Sequence, residues 1–174
     1  AHCGMSTKDQ SMSPTDEEDN THFVGYVYPT NEEILGNASR TEIYLCKHCH
    51  GFTRFPRYNS VHDIIRNGRG RCGEYAMLLY RILKSLGHNA RWVVDWSDHV
   101  WVEILLPSGS SSGQDEWVHL DPCEAAVDKP LLYQEWGKNQ TYIVAFHGSN
   151  SLDMFPAIED VTSSYTTDKA GIMT

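Results

Sequence analysis

Three short stretches carry residue types that could do chemistry together. They are Cys72 in Arg69-Gly-Arg-Cys-Gly-Glu-Tyr-Ala76, His99 in Asp98-His-Val-Trp101, and Asp121 in His119-Leu-Asp121. A thiol, an imidazole and a carboxylate are the parts of a nucleophilic site: a thiolate, a base to make it, and an acceptor to orient the base. Cys72 is predicted to open a helix, where partial positive charge and spare N–H groups lower a thiol pKa and can hold an oxyanion. Cysteine is often a buried structural residue, but Arg71, Gly73 and Glu74 make this stretch too polar for a core segment. His99 opens a strand, where a histidine is more often a capped turn residue than a base. The exposed aromatic and the carboxylate expected beside it, Trp101 and Glu103, favour a base. Asp121 closes a strand before Pro122 and is expected to accept from Nδ1–H of His99. Asp-Pro is also a common turn pair, so the weight rests on helix-Cys, strand-His and strand-Asp in that order.

These groups need elements to hold them. Cys72 to Leu86 reads as a helix, with Ala76, Leu79, Leu83 and Leu86 at three- and four-residue steps and Gly87 as its stop. Strands follow at Ala90 to Trp96, Val100 to Leu106 and Trp117 to Asp121, with a further one at Thr141 to Phe146. In the second of these, Val100, Val102 and Ile104 lie on one face and Trp101 and Glu103 on the other. Residues 107 to 114 are Ser/Gly-rich and read as a hairpin loop. Upstream, Arg40 to Leu45 reads as a strand leading into Cys46-Lys-His-Cys49. Residues 60 to 67 read as a short helix capped by Ser60. Residues 5 to 22 are polar and acidic, and such a composition favours a flexible loop. The tail after Gly148 is loosely patterned.

The 174 residues suffice for one domain with extensions, and 40% hydrophobic with 21% charged residues suits a globular chain. A formal net charge of −9 disfavours nucleic acid as a partner. The one basic cluster, Arg54 to Arg71, is expected to flank the catalytic helix and neutralise nearby acids. No stretch approaches the ~18 apolar residues of a membrane-spanning helix. Five cysteines, with one CxxC pair, point to a reducing compartment rather than a disulfide framework. The expected location is therefore cytosolic, against which Asn37-Ala-Ser39 and Asn139-Gln-Thr141 argue weakly as sequons. The start at Ala1, with Cys3 close behind, suggests an excised fragment.

Six blocks in series are similar to cytoplasmic peptide:N-glycanase. These are Cys46-Lys-His-Cys49, Thr53-Arg-Phe-Pro-Arg-Tyr-Asn59, Gly70-Arg-Cys-Gly-Glu-Tyr-Ala76, residues 90 to 103, His119-Leu-Asp-Pro-Cys-Glu124 and Asp128-Lys-Pro-Leu-Leu-Tyr133. The resemblance runs from about Thr41 through Phe146. Glu159-Asp-Val-Thr162 looks like a further piece, and the loop from Ser108 to Gly113 looks longer than the family's turn. The implied fold is α+β: a transglutaminase-like, papain-like core with the catalytic cysteine at a helix N-terminus packed on an antiparallel sheet, plus a zinc-binding subdomain. The implied organisation is a zinc-binding subdomain over residues 1–59, a catalytic core over 60–147 and a C-terminal extension over 148–174.

The resemblance also implies an activity. Cys72 would be the nucleophile, His99 the base and Asp121 its orienting acid, with Arg91, Trp101, Glu103, Trp117 and Glu124 supporting. The reaction would be hydrolysis of the amide between asparagine and N-acetylglucosamine in denatured N-glycoproteins. Trp101 and Trp117 are suited to stacking on sugar rings or to core packing, and Arg91 and Glu124 to pairing with each other or binding sugar hydroxyls. The family's partners, ubiquitin-shuttle and proteasome proteins of misfolded-protein disposal, are likewise implied. The CxxC pair is half of a four-cysteine structural zinc site; Cys3 would be a third ligand, the fourth falling just before Ala1, with His2, His48 or His50 as substitutes. Two rivals stand beside this. One is a transglutaminase-type acyl transferase, although no calcium-type acidic cluster is visible. The other is an inactive glycan- or partner-binding member, for which an intact triad would be superfluous.

Overall fold

The computed structural model describes residues 21–107, 115–148 and 157–166. Cys3, most of the expected acidic loop and the expected hairpin loop at 108–114 lie outside these. The chain divides into two compact units, Ala1–Glu74 and Tyr75–Thr174.

The first unit holds an antiparallel sheet of β1 (Thr21–Val27), β2 (Thr41–Cys46) and β3 (Phe52–Pro56), with β2 central. Thr21 and His22, expected in a flexible loop, instead begin β1 and pair with Cys46 and Leu45. Helix α1 (Asn31–Leu35) begins with a capping box. Glu33 N–H donates to Thr30 Oγ1, and Thr30 N–H to Glu33 Oε2, at 3.3 and 2.8 Å. The Arg54 guanidinium also grips that carboxylate with Nε and Nη2, at 2.8 and 2.7 Å. Chiefly through Arg54, the Glu33 carboxyl is held down to about 2. Helix α2 (Val61–Asn67) is capped by Ser60 as expected and ends at Gly68, whose φ of 64° suits glycine at a helix terminus.

The basic cluster does neutralise acids. Arg57 is bidentate to Glu74 at 2.6 and 3.0 Å and reaches Glu42 at 2.9 Å, which Arg71 also contacts at 2.9 Å. Glu42 is buried, and an unpaired carboxylate there would be strongly unfavourable. Burial pushes its pKa up, but bonds from Tyr44 and the two arginines outweigh that and leave it lowered.

The second unit is built on six antiparallel strands in the order β7-β6-β5-β4-β8-β9. They are β4 (Ala90–Asp95), β5 (His99–Leu106), β6 (Glu116–Asp121), β7 (Ala126–Val127), β8 (Ile143–His147) and β9 (Ile158–Asp160). Helix α3 (Cys72–Ser85) starts in the first unit and runs into the second. Its Ala76, Leu79, Tyr80 and Leu83 pack on Ala90, Trp92, Val100 and Val102. Leu86, expected on that face, lies past the helix end and is exposed. The opposite face of the sheet is covered by a second cluster. There Val93, Trp101, Ile143 and Ala145 meet Tyr133 of helix α4 (Leu132–Glu135) together with Val161 and Tyr165. Both faces of β5 are therefore buried.

That arrangement corrects one expectation. Trp101 is not an exposed aromatic beside His99 but has no solvent exposure at all, and Glu103 is buried too. Alternation along β5 separates two faces, but in a strand between two cores neither face is the solvent side. The loosely patterned tail contributes in turn, since β9 extends the sheet by pairing with β8.

Candidate active site

The strand register brings His99 and Asp121 together. β5 and β6 pair antiparallel with Val102 opposite Leu120. One further step puts Asp121 across from Trp101, and His99, two residues back on the same face, lies diagonal to it. Diagonal neighbours are within reach of longer side chains. His99 Nε2 lies 2.6 Å from Asp121 Oδ2. The bond uses Nε2 rather than the expected Nδ1.

Asp121 is built to stay ionised. Its side chain is fully buried, and Oδ2 accepts from both His99 and the Tyr133 hydroxyl, the latter at 2.8 Å. Oδ1 accepts the N–H groups of Cys123 and Glu124 at 2.9 and 3.2 Å. Burial alone would raise the carboxyl pKa; the bonds from His99, Tyr133 and Cys123 outweigh it and hold the group below its usual value. A carboxylate only accepts, so His99 Nε2 carries its proton. The His99 side chain keeps 11% of its exposure, enough for one edge of the ring to meet solvent or substrate.

Cys72 is the first residue of α3 and is half-buried. Directly before it, Arg71 N–H donates to Glu74 Oε2 at 2.8 Å, one half of a capping box, since the Arg71 side chain has no acceptor to return the bond. The thiol thus sits where backbone N–H groups have no partner one turn earlier. Cys72 belongs to the first unit, while His99 and Asp121 belong to the second.

The supporting residues form two groups. Arg91 and Glu103 face each other across β4 and β5 and form a fully buried ion pair. Arg91 also reaches Glu159 of β9 at 2.8 Å and lies 4.1 Å over the Trp117 ring. Its carboxylate partners are Glu103 and Glu159 rather than the expected Glu124. Trp117 is half-buried and is the one of the two expected tryptophans with surface to offer a ligand. Trp101 donates Nε1–H to the Tyr165 hydroxyl at 2.8 Å, and Tyr165 bonds Glu103. Glu124 follows Asp121 in a loop; burial first, then the Asp121 charge, raises its carboxyl pKa.

Sequence reasoning missed Tyr133, His119 and Tyr165. His119 shares a strand face with Asp121 two residues on, which is a readable signal. Tyr133 and Tyr165 come from later segments, and no local spacing points to them. Burial pushes the His119 pKa down to about 4, so the ring is neutral near pH 7.

Cys46 ends β2 and Cys49 lies in the turn before β3. Cys49 N–H donates to Cys46 Sγ at 3.5 Å. His50, with φ of 55°, and the Cys46 N–H to Gly51 carbonyl bond close the tight turn. Two thiols on one tight turn suit half of a tetrahedral zinc site. Among the described residues, no group of three or more potential ligands gathers.

The comparisons with known proteins agree on the family. Residues 23–122 match the model for the transglutaminase-like superfamily. Among similar proteins is a peptide-N(4)-(N-acetyl-beta-glucosaminyl)asparagine amidase of Gallus gallus, 42% identical over 74% of this chain and 19% of that protein. Its namesake in Oryza sativa subsp. japonica is 41% identical over 72% of this chain and 27% of its own length. That of Saccharomyces cerevisiae is 37% identical over 88% of this chain and 38% of its own length. The chain thus spans about a fifth to two-fifths of the relatives it matches. With more than half of its length matched by the family model, the protein is a member of the transglutaminase-like superfamily.

Proposed function

We propose that this chain carries the catalytic core of an amidase that releases N-glycans from denatured glycoproteins. It would cleave the amide between an asparagine side chain and the first N-acetylglucosamine. The observation that carries the reading is the His99–Asp121 dyad at 2.6 Å, with the carboxylate held by three further donors. A buried carboxylate so fully bonded keeps the proton on Nε2 and steadies the imidazolium formed when Nδ1 takes a second proton. Likeness to proteins named as asparagine amidases supports the choice of substrate.

In the reaction, His99 Nδ1 removes the proton from Cys72 Sγ, and the thiolate attacks the asparagine side-chain carbonyl. The carbonyl π pair moves to oxygen, where N–H groups at the start of α3 are suited to stabilise it. The oxyanion then re-forms the carbonyl as the C–N bond breaks, and the imidazolium gives its proton to the departing glycosylamine nitrogen. A thioester remains on Cys72. His99 next takes a proton from water, hydroxide displaces the thiolate, and aspartate is left in the peptide. Base assistance and oxyanion donation each contribute roughly two to four orders of magnitude. Arg91, Glu103 and Trp101 support this chemistry from within the core, leaving Trp117 as the candidate sugar contact.

Zinc, bound by Cys46, Cys49 and Cys3, would be structural, closing the tip of the β2–β3 hairpin. The preference for denatured glycoproteins is what the resemblance to peptide:N-glycanase implies.

The test is glycan release from a denatured N-glycoprotein, with Cys72→Ala as the control. Release by the parent chain and none by Cys72→Ala is expected. Retained release by a folded Cys72→Ala protein would remove the mechanism. Amine incorporation into a glutamine substrate without glycan release would instead assign acyl transfer.

A further inference from the structure

Asp121 is gripped from two sides, and the imidazole is only one of them. Tyr133 of α4 is fully buried and donates its hydroxyl to the same Oδ2 that His99 bonds. The Tyr133 oxygen lies 2.6 Å from His119 Nε2. His119 Nδ1 accepts the Lys129 N–H at 3.4 Å, so the His119 proton sits on Nε2 and points at Tyr133. The direction of donation then runs one way: His119 to Tyr133, and Tyr133 to Asp121. The phenol ring is held as firmly as its hydroxyl. It stacks on Trp101 with centroids 4.7 Å apart and meets His99 edge-on at 5.0 Å. Tyr133 also lies beyond the residues matched by the family model.

We propose that Tyr133, anchored by His119, is a positioning residue for this site: it fixes which Asp121 oxygen faces His99 and sets the basicity of that imidazole. The inference rests on the amidase reading above. Two donors on one carboxylate oxygen share its charge, so Asp121 supports a protonated His99 less than it would if bonded to His99 alone. Removing the phenol O–H concentrates that charge on the imidazole and makes His99 more basic. It also frees the carboxylate to turn, which loosens the dyad. The phenol stays protonated throughout, because burial and then the Asp121 charge push its pKa up.

Among the described residues, named charged and titratable groups surround the invoked pair. Asp121 faces His99 of β5, Tyr133 of α4 and, from the loop after β6, Glu124. Behind Tyr133 stand His119 of β6 and Tyr165, with Asp128 acting on His119. Tyr133→Phe removes only the Tyr133 hydroxyl from this set and keeps the ring stack.

The experiment is Tyr133→Phe in the full chain, read two ways. In glycan release, kcat should fall about tenfold with KM within about twofold, as expected for lost orientation of a reacting group. The acidic limb of the pH–rate profile, where the base His99 becomes protonated, and the His99 ring titration, followed by NMR of ring-labelled histidine, should both move up by about half a pH unit. A kcat loss with an unmoved His99 titration would mean a structural role only and would overturn the proposal. If Tyr133→Phe does not fold, meta-fluorotyrosine at 133 keeps ring and hydroxyl but donates more strongly. It should move the His99 titration downward, and no movement would overturn the proposal equally. The titration needs no glycoprotein: a parent chain that releases no glycan but shows the shift sinks the amidase reading and leaves the contact between Tyr133 and His99 standing.

Discussion

His119 should make the protein lose stability in mild acid, before any of the described carboxyls with lowered pKa begins to protonate. The ring is almost wholly buried, and burial depresses its pKa from 6.5 to about 4. A base whose folded pKa is depressed binds fewer protons in the folded than in the unfolded state between those two values. Stability is therefore full above pH 6.5, falls as pH drops through the window, and levels off below about 4. The whole shift corresponds to about 3 kcal/mol, and roughly 2 kcal/mol of it is already lost at pH 5.

The perturbation is His119→Gln, which cannot protonate and still offers an N–H toward Tyr133. Its packing loss is a constant offset at every pH, so the slope carries the information. His147, whose pKa burial also lowers, titrates in the same direction but is present in both proteins and cancels. Urea unfolding would be followed at pH 7, 6 and 5 by tryptophan fluorescence, with equal m-values required before comparison. The parent should lose about 2 kcal/mol more than the variant between pH 7 and 5. Parallel losses in the two proteins would refute the claim that a neutral His119 is built into the core.

Two further outcomes follow from named contacts. Tyr165→Phe removes the acceptor of the Trp101 indole and the donor to buried Glu103, so urea unfolding should show a loss of about 2 kcal/mol; a loss below about 0.5 kcal/mol would mean that the network is not coupled. Elemental analysis of protein containing Cys3, Cys46 and Cys49 should find about one zinc per chain, reduced by Cys46→Ser; a metal-free parent protein would remove the site.

Much of the second unit was legible in the sequence because its signals are local. The apolar steps of Ala76, Leu79 and Leu83 carry the α3 period, and β4, β5 and β6 begin and end within a residue of expectation. Ser60 as a cap and Cys72 as a helix start needed only nearest neighbours. What failed depended on the third dimension. In β1, Phe23, Val24, Tyr26 and Val27 are all exposed, so no alternation marks it as a strand. The short β7, α4 and β9 exist through pairing and packing rather than through any period of their own. Which imidazole nitrogen meets Asp121 depends on a ring rotation that no spacing encodes. Trp101 was misjudged because alternation identifies a face, and whether that face meets water depends on segments some 30 and 60 residues away that supply Tyr133 and Tyr165.

The same burial limits where along β5 a base of the proposed kind could sit. Along β5, Trp101 to Ile104 are buried, while His99 and Val100 are half-buried and Leu106 is exposed. A residue in the middle of this strand cannot meet a substrate, because a core covers each face. It can only brace what lies at the ends, as Glu103 does through Arg91 and Tyr165. His99 occupies the first position of the strand, where cover gives out but the register still reaches Asp121. Shifting the imidazole to position 101 would bury it in place of the tryptophan, and moving it before Asp98 would carry it off the ladder. Position 99 combines partial exposure with a fixed carboxylate partner, which is what a base that must both meet a substrate and stay oriented requires.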